Sequence, residues 1–138
     1  MIQNIVQKIE NQISLKPLST YKVDTLFLYR VYSLLLQECV PHEEIEHYLV
    51  AFGLLQLHQQ SHEQLLTKPS CLRANILDGD YFYSCYYEYA STHAFHLIEK
   101  DFASYLAKTE LIYIDDYLSL FDTIQNFLHS EDLYYGLS

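Results

Sequence analysis

The chain has 138 residues, half of them hydrophobic and 19% charged, which is enough apolar material for one core and too much for a disordered chain. Eight Lys and Arg against 18 Asp and Glu leave a formal net charge of -10, which repels a phosphate backbone and argues against nucleic acid as a ligand. Three glycines and three prolines supply too little turn chemistry for an all-β domain. The expected fold is therefore a single all-α domain over residues 1–138, a helical bundle of about five to seven helices.

In chain order, Ile2, Ile5, Val6, Ile9 and Ile13 repeat at the spacing of one helical face, with Gln3, Asn4, Lys8 and Glu10 on the other. This predicts a surface helix ending before Pro17. The run from Asp24 to Cys39 is apolar around most of its circumference and reads as the central helix of the bundle. Pro41 suits the first position of a third helix, with Glu43 and Glu44 at the positive end of its dipole, continuing to about Leu66. Lys68-Pro69-Ser70 breaks the chain. The aromatic stretch from Arg73 to Ala90 reads as a fourth helix, because strand-like alternation fails at Ser84-Cys85-Tyr86-Tyr87. Helical spacing continues through Ala94, Leu97, Ile98, Phe102, Tyr105 and Leu106. Tyr117, Phe121, Ile124 and Leu128 mark a last amphipathic helix, followed by a tail from Glu131 to Ser138.

No basic segment followed by an apolar block opens the chain, and its longest apolar run, Tyr48 to Leu55, is far below the ~20 residues of a membrane span. Cys39, Cys71 and Cys85 are odd in number and never spaced Cys-x-x-Cys, so they read as buried, reduced thiols of a cytoplasmic protein.

Few residue patterns point to chemistry. His42 and His47 are five residues apart, rotated by about 100° from the i, i+4 pair that binds zinc, and Glu44-x-x-His47 lacks the second Glu-x-x-His of a di-iron bundle. The segment reads as a solvated acidic first turn. His58 with His62, and His93 with His96, share helix faces but no third ligand accompanies either pair. Asp78-Gly79-Asp80 would need glycine where Tyr83 stands and glutamate where Tyr89 stands to be a calcium loop. Asp115-Asp116 reads as a helix cap. No nucleophile elbow or phosphate-cradling glycine loop occurs. Tyr81, Phe82, Tyr83, Tyr86, Tyr87 and Tyr89 crowd one stretch, too many rings for one helix face. They read either as a partner interface or as internal core.

The segment Arg73-Ala74-Asn75-Ile76-Leu77-Asp78-Gly79-Asp80-Tyr81-Phe82-Tyr83-Ser84 resembles the Leu-x-Gly-Asp-Tyr-x-x-Ser segment of trans-polyprenyl diphosphate synthases. With Tyr86-Tyr87-Glu88 it looks closest to the small subunits of the two-component hexaprenyl and heptaprenyl diphosphate synthases, the chain length favouring the hexaprenyl type. Leu54-Leu55-Gln56-Leu57-His58-Gln59-Gln60-Ser61-His62-Glu63 is similar to the preceding helix of those subunits. Catalytic members carry Asp-Asp-x-x-Asp where this chain has Ser61-His62-Glu63-Gln64-Leu65, so the carboxylates that would hold Mg²⁺ against a diphosphate are missing.

The resemblance implies part of the isoprenoid synthase fold and a non-catalytic subunit that binds no cofactor itself. Its implied partner is a large synthase subunit with two aspartate-rich motifs, which holds the Mg²⁺ and adds isopentenyl diphosphate to farnesyl diphosphate. Asp80, Tyr81, Tyr83, Ser84 and Tyr87 are the implied partner interface. Leu54, Leu57 and His58 are the implied wall of a polyprenyl product tunnel. The rival reading of a different class is a self-contained helical protein-binding adaptor with no link to isoprenoid synthesis.

Overall fold

A computed structural model describes residues 1–13, 22–67, 72–93 and 120–130, and all its regular structure is helical. The helices are α1 (Ile2–Gln12), α2 (Thr25–Gln37), α3 (His42–Thr67), α4 (Leu72–Thr92) and α5 (Leu120–Ser130). Their buried side chains form one hydrophobic cluster. The fold is thus all-α, as composition and periodicity predict. The expected breaks at Pro17 and Lys68-Pro69-Ser70, Cys71, the helical stretch Ala94–Leu106, the Asp115-Asp116 cap, Tyr117 and the tail from Glu131 lie outside the described residues. Among the described residues no helix is long and apolar enough to cross a membrane.

The centre of the bundle is α3, not α2. From Tyr48 to Leu55 every residue of α3 is buried, which for a helix requires neighbours on all sides. Those neighbours are α1, α2 and, over the longest seam, α4. Gly53 admits α1, since a Cβ there would run into the Ile9 side chain. On α1 itself Ile2, Ile5 and Ile9 are buried and Val6 is half-buried, and Lys8 makes an ion pair with Glu46 of α3. Glu43 and Glu44 sit in the first turn of α3, which starts one residue after Pro41.

Local chemistry fixes both ends of α2. Asp24 caps it by accepting a hydrogen bond from the Phe27 N–H at 3.1 Å. Just upstream, Gln60 of α3 accepts from the Lys22 N–H at 3.1 Å, and Gln56 accepts from the Asp24 N–H at 3.3 Å. The two glutamines, one turn apart, thereby satisfy backbone donors that no helix or sheet pairs. At the other end the Val40 N–H donates to the Leu35 carbonyl and the Cys39 N–H to the Leu36 carbonyl, a Schellman closure with Cys39 in the left-handed region at φ 59°. That turn leaves Cys39 exposed, whereas Cys85 is buried as expected. The expectation of buried thiols fails at Cys39 because the helix end turns its side chain outward.

The inner side of α2 buries Phe27, Leu28, Val31, Leu34 and Leu35, but its outer side is open: Leu26 is 69%, Tyr29 57% and Leu36 50% exposed. Apolar residues all round the helix therefore do not make it central within this chain. α5 packs on α2, burying Leu120, Ile124 and Leu128, with the Arg30 guanidinium 4.0 Å from the centre of the Phe121 ring.

Candidate functional site

The α3–α4 seam gathers the residues singled out in sequence. The two helices are close at Gly79, where a Cβ would lie 3.0 Å from the Ser61 hydroxyl oxygen and 3.7 Å from His58 Nδ1. Without a side chain at 79, His58 reaches the α4 backbone, its Nδ1 2.9 Å from the Gly79 carbonyl oxygen. A carbonyl only accepts, so Nδ1 carries the proton in this contact. The same imidazole meets Tyr83 edge-on at 5.3 Å, and Ser61 and Asp78 are buried beside this crossing. Asp78-Gly79-Asp80 is therefore helical and forms a crossing point.

The aromatic block divides by helix face. Phe82, Tyr86 and Tyr89 are buried, Tyr81 and Tyr83 are half-buried against the same core, and Tyr87 is 53% exposed. The rings that looked too many for one face are accommodated because several of them pack on the long seam with α3, where apolar side chains alternate with His47, His58 and Ser61. Burial drives the Tyr86 phenol far above its ordinary range, with neighbouring Tyr83 adding to the effect. Burial also raises the Cys85 thiol, a hydrogen bond with Tyr81 acting the other way, and this thiol donates to the Gln12 carbonyl of α1 at 3.5 Å.

Of the implied interface residues, Asp80, Ser84 and Tyr87 are exposed on the outer face of α4, while Tyr81 and Tyr83 share their surface with the core. Of the implied tunnel residues, Leu54 and Leu57 are completely enclosed in this chain's own core, and His58 is half-buried at the crossing.

A second cluster joins residues that sequence reasoning kept apart. At the far end of the seam His47 Nδ1 lies 3.0 Å from the Tyr89 hydroxyl, and the His47 ring stacks on His93 at 5.3 Å with an interplanar angle of 11°. Tyr89 and His93 are themselves 4.6 Å apart, ring to ring. Burial pushes the Tyr89 phenol up to about 12, and the Glu46 carboxylate adds to it. Tyr89 therefore keeps its proton at neutral pH and can donate it to the bare Nδ1 of a neutral His47. Reading His47 within an acidic first turn, and His93 with His96, concealed this cluster, since its members are 46 residues apart. Among the described residues no three His, Cys, Asp or Glu side chains are arranged to hold a metal ion. No protein-family model, curated protein or solved structure matches the chain.

Proposed function

We propose that this chain is the non-catalytic small subunit of a heterodimeric trans-polyprenyl diphosphate synthase, making a long hexaprenyl or heptaprenyl diphosphate with a large catalytic subunit. One observation supports this reading. The two stretches that resemble those small subunits, 54–63 and 73–88, belong to adjacent helices and meet at Gly79, Ser61 and His58. The glycine of the Gly-Asp-Tyr segment thus has a physical task, since a methyl group there would press on the Ser61 hydroxyl and crowd His58 at the crossing. In this reading the partner supplies Mg²⁺ and the reacting groups, and this chain supplies surface. Asp80, Ser84 and Tyr87 on the outer face of α4 are its contact, with Tyr87 the aromatic anchor.

The test is reconstitution. The purified chain, a large subunit carrying both aspartate-rich motifs, and the pair are each incubated with Mg²⁺, farnesyl diphosphate and labelled isopentenyl diphosphate. The expected result is long-chain product from the pair and none from this chain alone. Incorporation by this chain alone, or the absence of both complex and stimulation, overturns the reading. Product length is the finer measurement. His58 is the one member of the implied tunnel wall that is only half-buried, so His58→Ala and His58→Trp should shift the product distribution in opposite directions where this chain borders the growing tail, with circular dichroism checking that the crossing at Gly79 keeps its helices.

A further inference from the structure

Among the described residues, three of the five exposed large hydrophobic side chains lie on the outer side of α2. Leu26, Tyr29, Ser33 and Leu36 are spaced three, four and three residues apart, which places them within about 80° of the helix circumference, opposite the buried face. All four are exposed. We infer that this stripe is a homodimerisation seam, in which two copies of the chain pair α2 against α2, antiparallel, about a twofold axis at the level of Val31.

Three observations select a second copy as the occupant. First, the stripe is symmetric about its own centre. A twofold axis midway between Tyr29 and Ser33 sets each Leu26 opposite Leu36 of the other copy, and each bulky Tyr29 opposite a small Ser33. An isologous contact demands this self-complementarity, and a foreign partner does not. Second, the charge pattern permits it. The chain carries -10 overall, so most faces of two copies repel, yet α2 has no acidic residue within Thr25–Gln37. Its one charged side chain, Arg30, is held over Phe121. Third, the spacing is that of a helix–helix seam, where alternate three- and four-residue steps keep one stripe facing a partner.

The size of the stripe sets the strength. Covering the three large side chains in both copies removes on the order of 700 Å² from water, below the ~1,200 Å² of a standard interface, so the dimer is a weak one. The α2 seam is on a different helix from the α4 face discussed above, and the inference stands whether or not the synthase reading does.

Sedimentation velocity on the full chain, with reductant present because Cys39 is exposed, tests it. The expected result is a reversible monomer–dimer equilibrium with a midpoint of roughly 10–100 µM. Leu26→Glu with Leu36→Glu sets carboxylates against carboxylates and should raise that midpoint about tenfold or more, with the circular dichroism spectrum unchanged. Leu26→Lys with Leu36→Glu pairs opposite charges only in the antiparallel arrangement and should restore association. A monomer throughout the range, or an undisturbed dimer in the double-Glu variant, overturns the inference. So does a Lys/Glu variant as weak as the double-Glu one. Loss of helix in the double-Glu variant also overturns it, because this chain would then itself cover the stripe.

Discussion

α2 and the Tyr48–Leu55 stretch of α3 are alike in one respect: both are apolar around most of the helix circumference. Their environments nevertheless differ. α3 is enclosed from Tyr48 to Leu55, whereas α2 buries one side and leaves Leu26, Tyr29 and Leu36 open. The distinction lies in what each carries besides hydrophobicity. α3 has Gly53, where α1 can approach, and faces Gly79 on α4, where the two longest helices close up. α2 has large side chains on its outer stripe except at Ser33. Apolarity therefore signals burial somewhere, and small residues at crossings decide where within the chain it is achieved.

The sharpest way to break this comparison is to make the same substitution on both helices. Leu54→Ala on α3 should cost about 2–5 kcal/mol through lost burial and the cavity left behind, whereas Leu26→Ala on α2 should cost under about 0.5 kcal/mol in the monomer. Urea unfolding at low protein concentration measures both, and equal losses would mean that the two helices are equally enclosed. The Leu54 result also bears on any product-length experiment at Leu54 or Leu57, since either truncation opens a cavity in this chain's own core.

Next in size is the crossing itself. Gly53→Ala gains about 1 kcal/mol of helix propensity but drives a methyl group into Ile9, and an overpacking cost of about 1–3 kcal/mol should leave a net destabilisation of up to about 2 kcal/mol. Adding Ile9→Val should recover part of that loss, because it shortens the side chain that is struck. Failure of the rescue would place the strain elsewhere.

A smaller and opposite effect is expected at the end of α2. Cys39 occupies a left-handed position that glycine adopts without steric cost, so Cys39→Gly should stabilise the chain by about 1 kcal/mol. Thermal unfolding checks the sign, and destabilisation would show that the thiol makes a contact worth more than the strain.

The last prediction concerns pH. The Tyr89 phenol is pushed up to about 12 in the folded chain against an ordinary value near 10, so the unfolded chain loses this proton first. The associated stability is fully present below pH ~10 and declines as pH rises from there toward the folded value. Tyr89→Phe should flatten that part of the alkaline decline while costing the hydrogen bond to His47. A chemical-denaturation series across this window measures it, and an unchanged slope would remove Tyr89 from the account.

Much of the architecture was legible because helical periodicity and capping act over a few residues. The face of Ile2, Ile5 and Ile9, the acidic first turn of α3, the Asp24 boundary and the helical rather than strand reading of the aromatic stretch all follow from local spacing. The candidate sites were legible only in part. Periodicity put Tyr81, Tyr83 and Tyr87 on one helix, but their separation into half-buried and exposed rings depended on which side of α4 meets α3. The meeting of His47, Tyr89 and His93 left no trace in sequence, because 46 residues of loop closure and helix register separate the stacked rings. The same holds for α2, whose hydrophobicity was plain and whose position was not. A residue's spacing specifies which neighbours share its face, while its burial depends on which other helix reaches that face, and that is settled by the fit of small residues at crossings far apart along the chain.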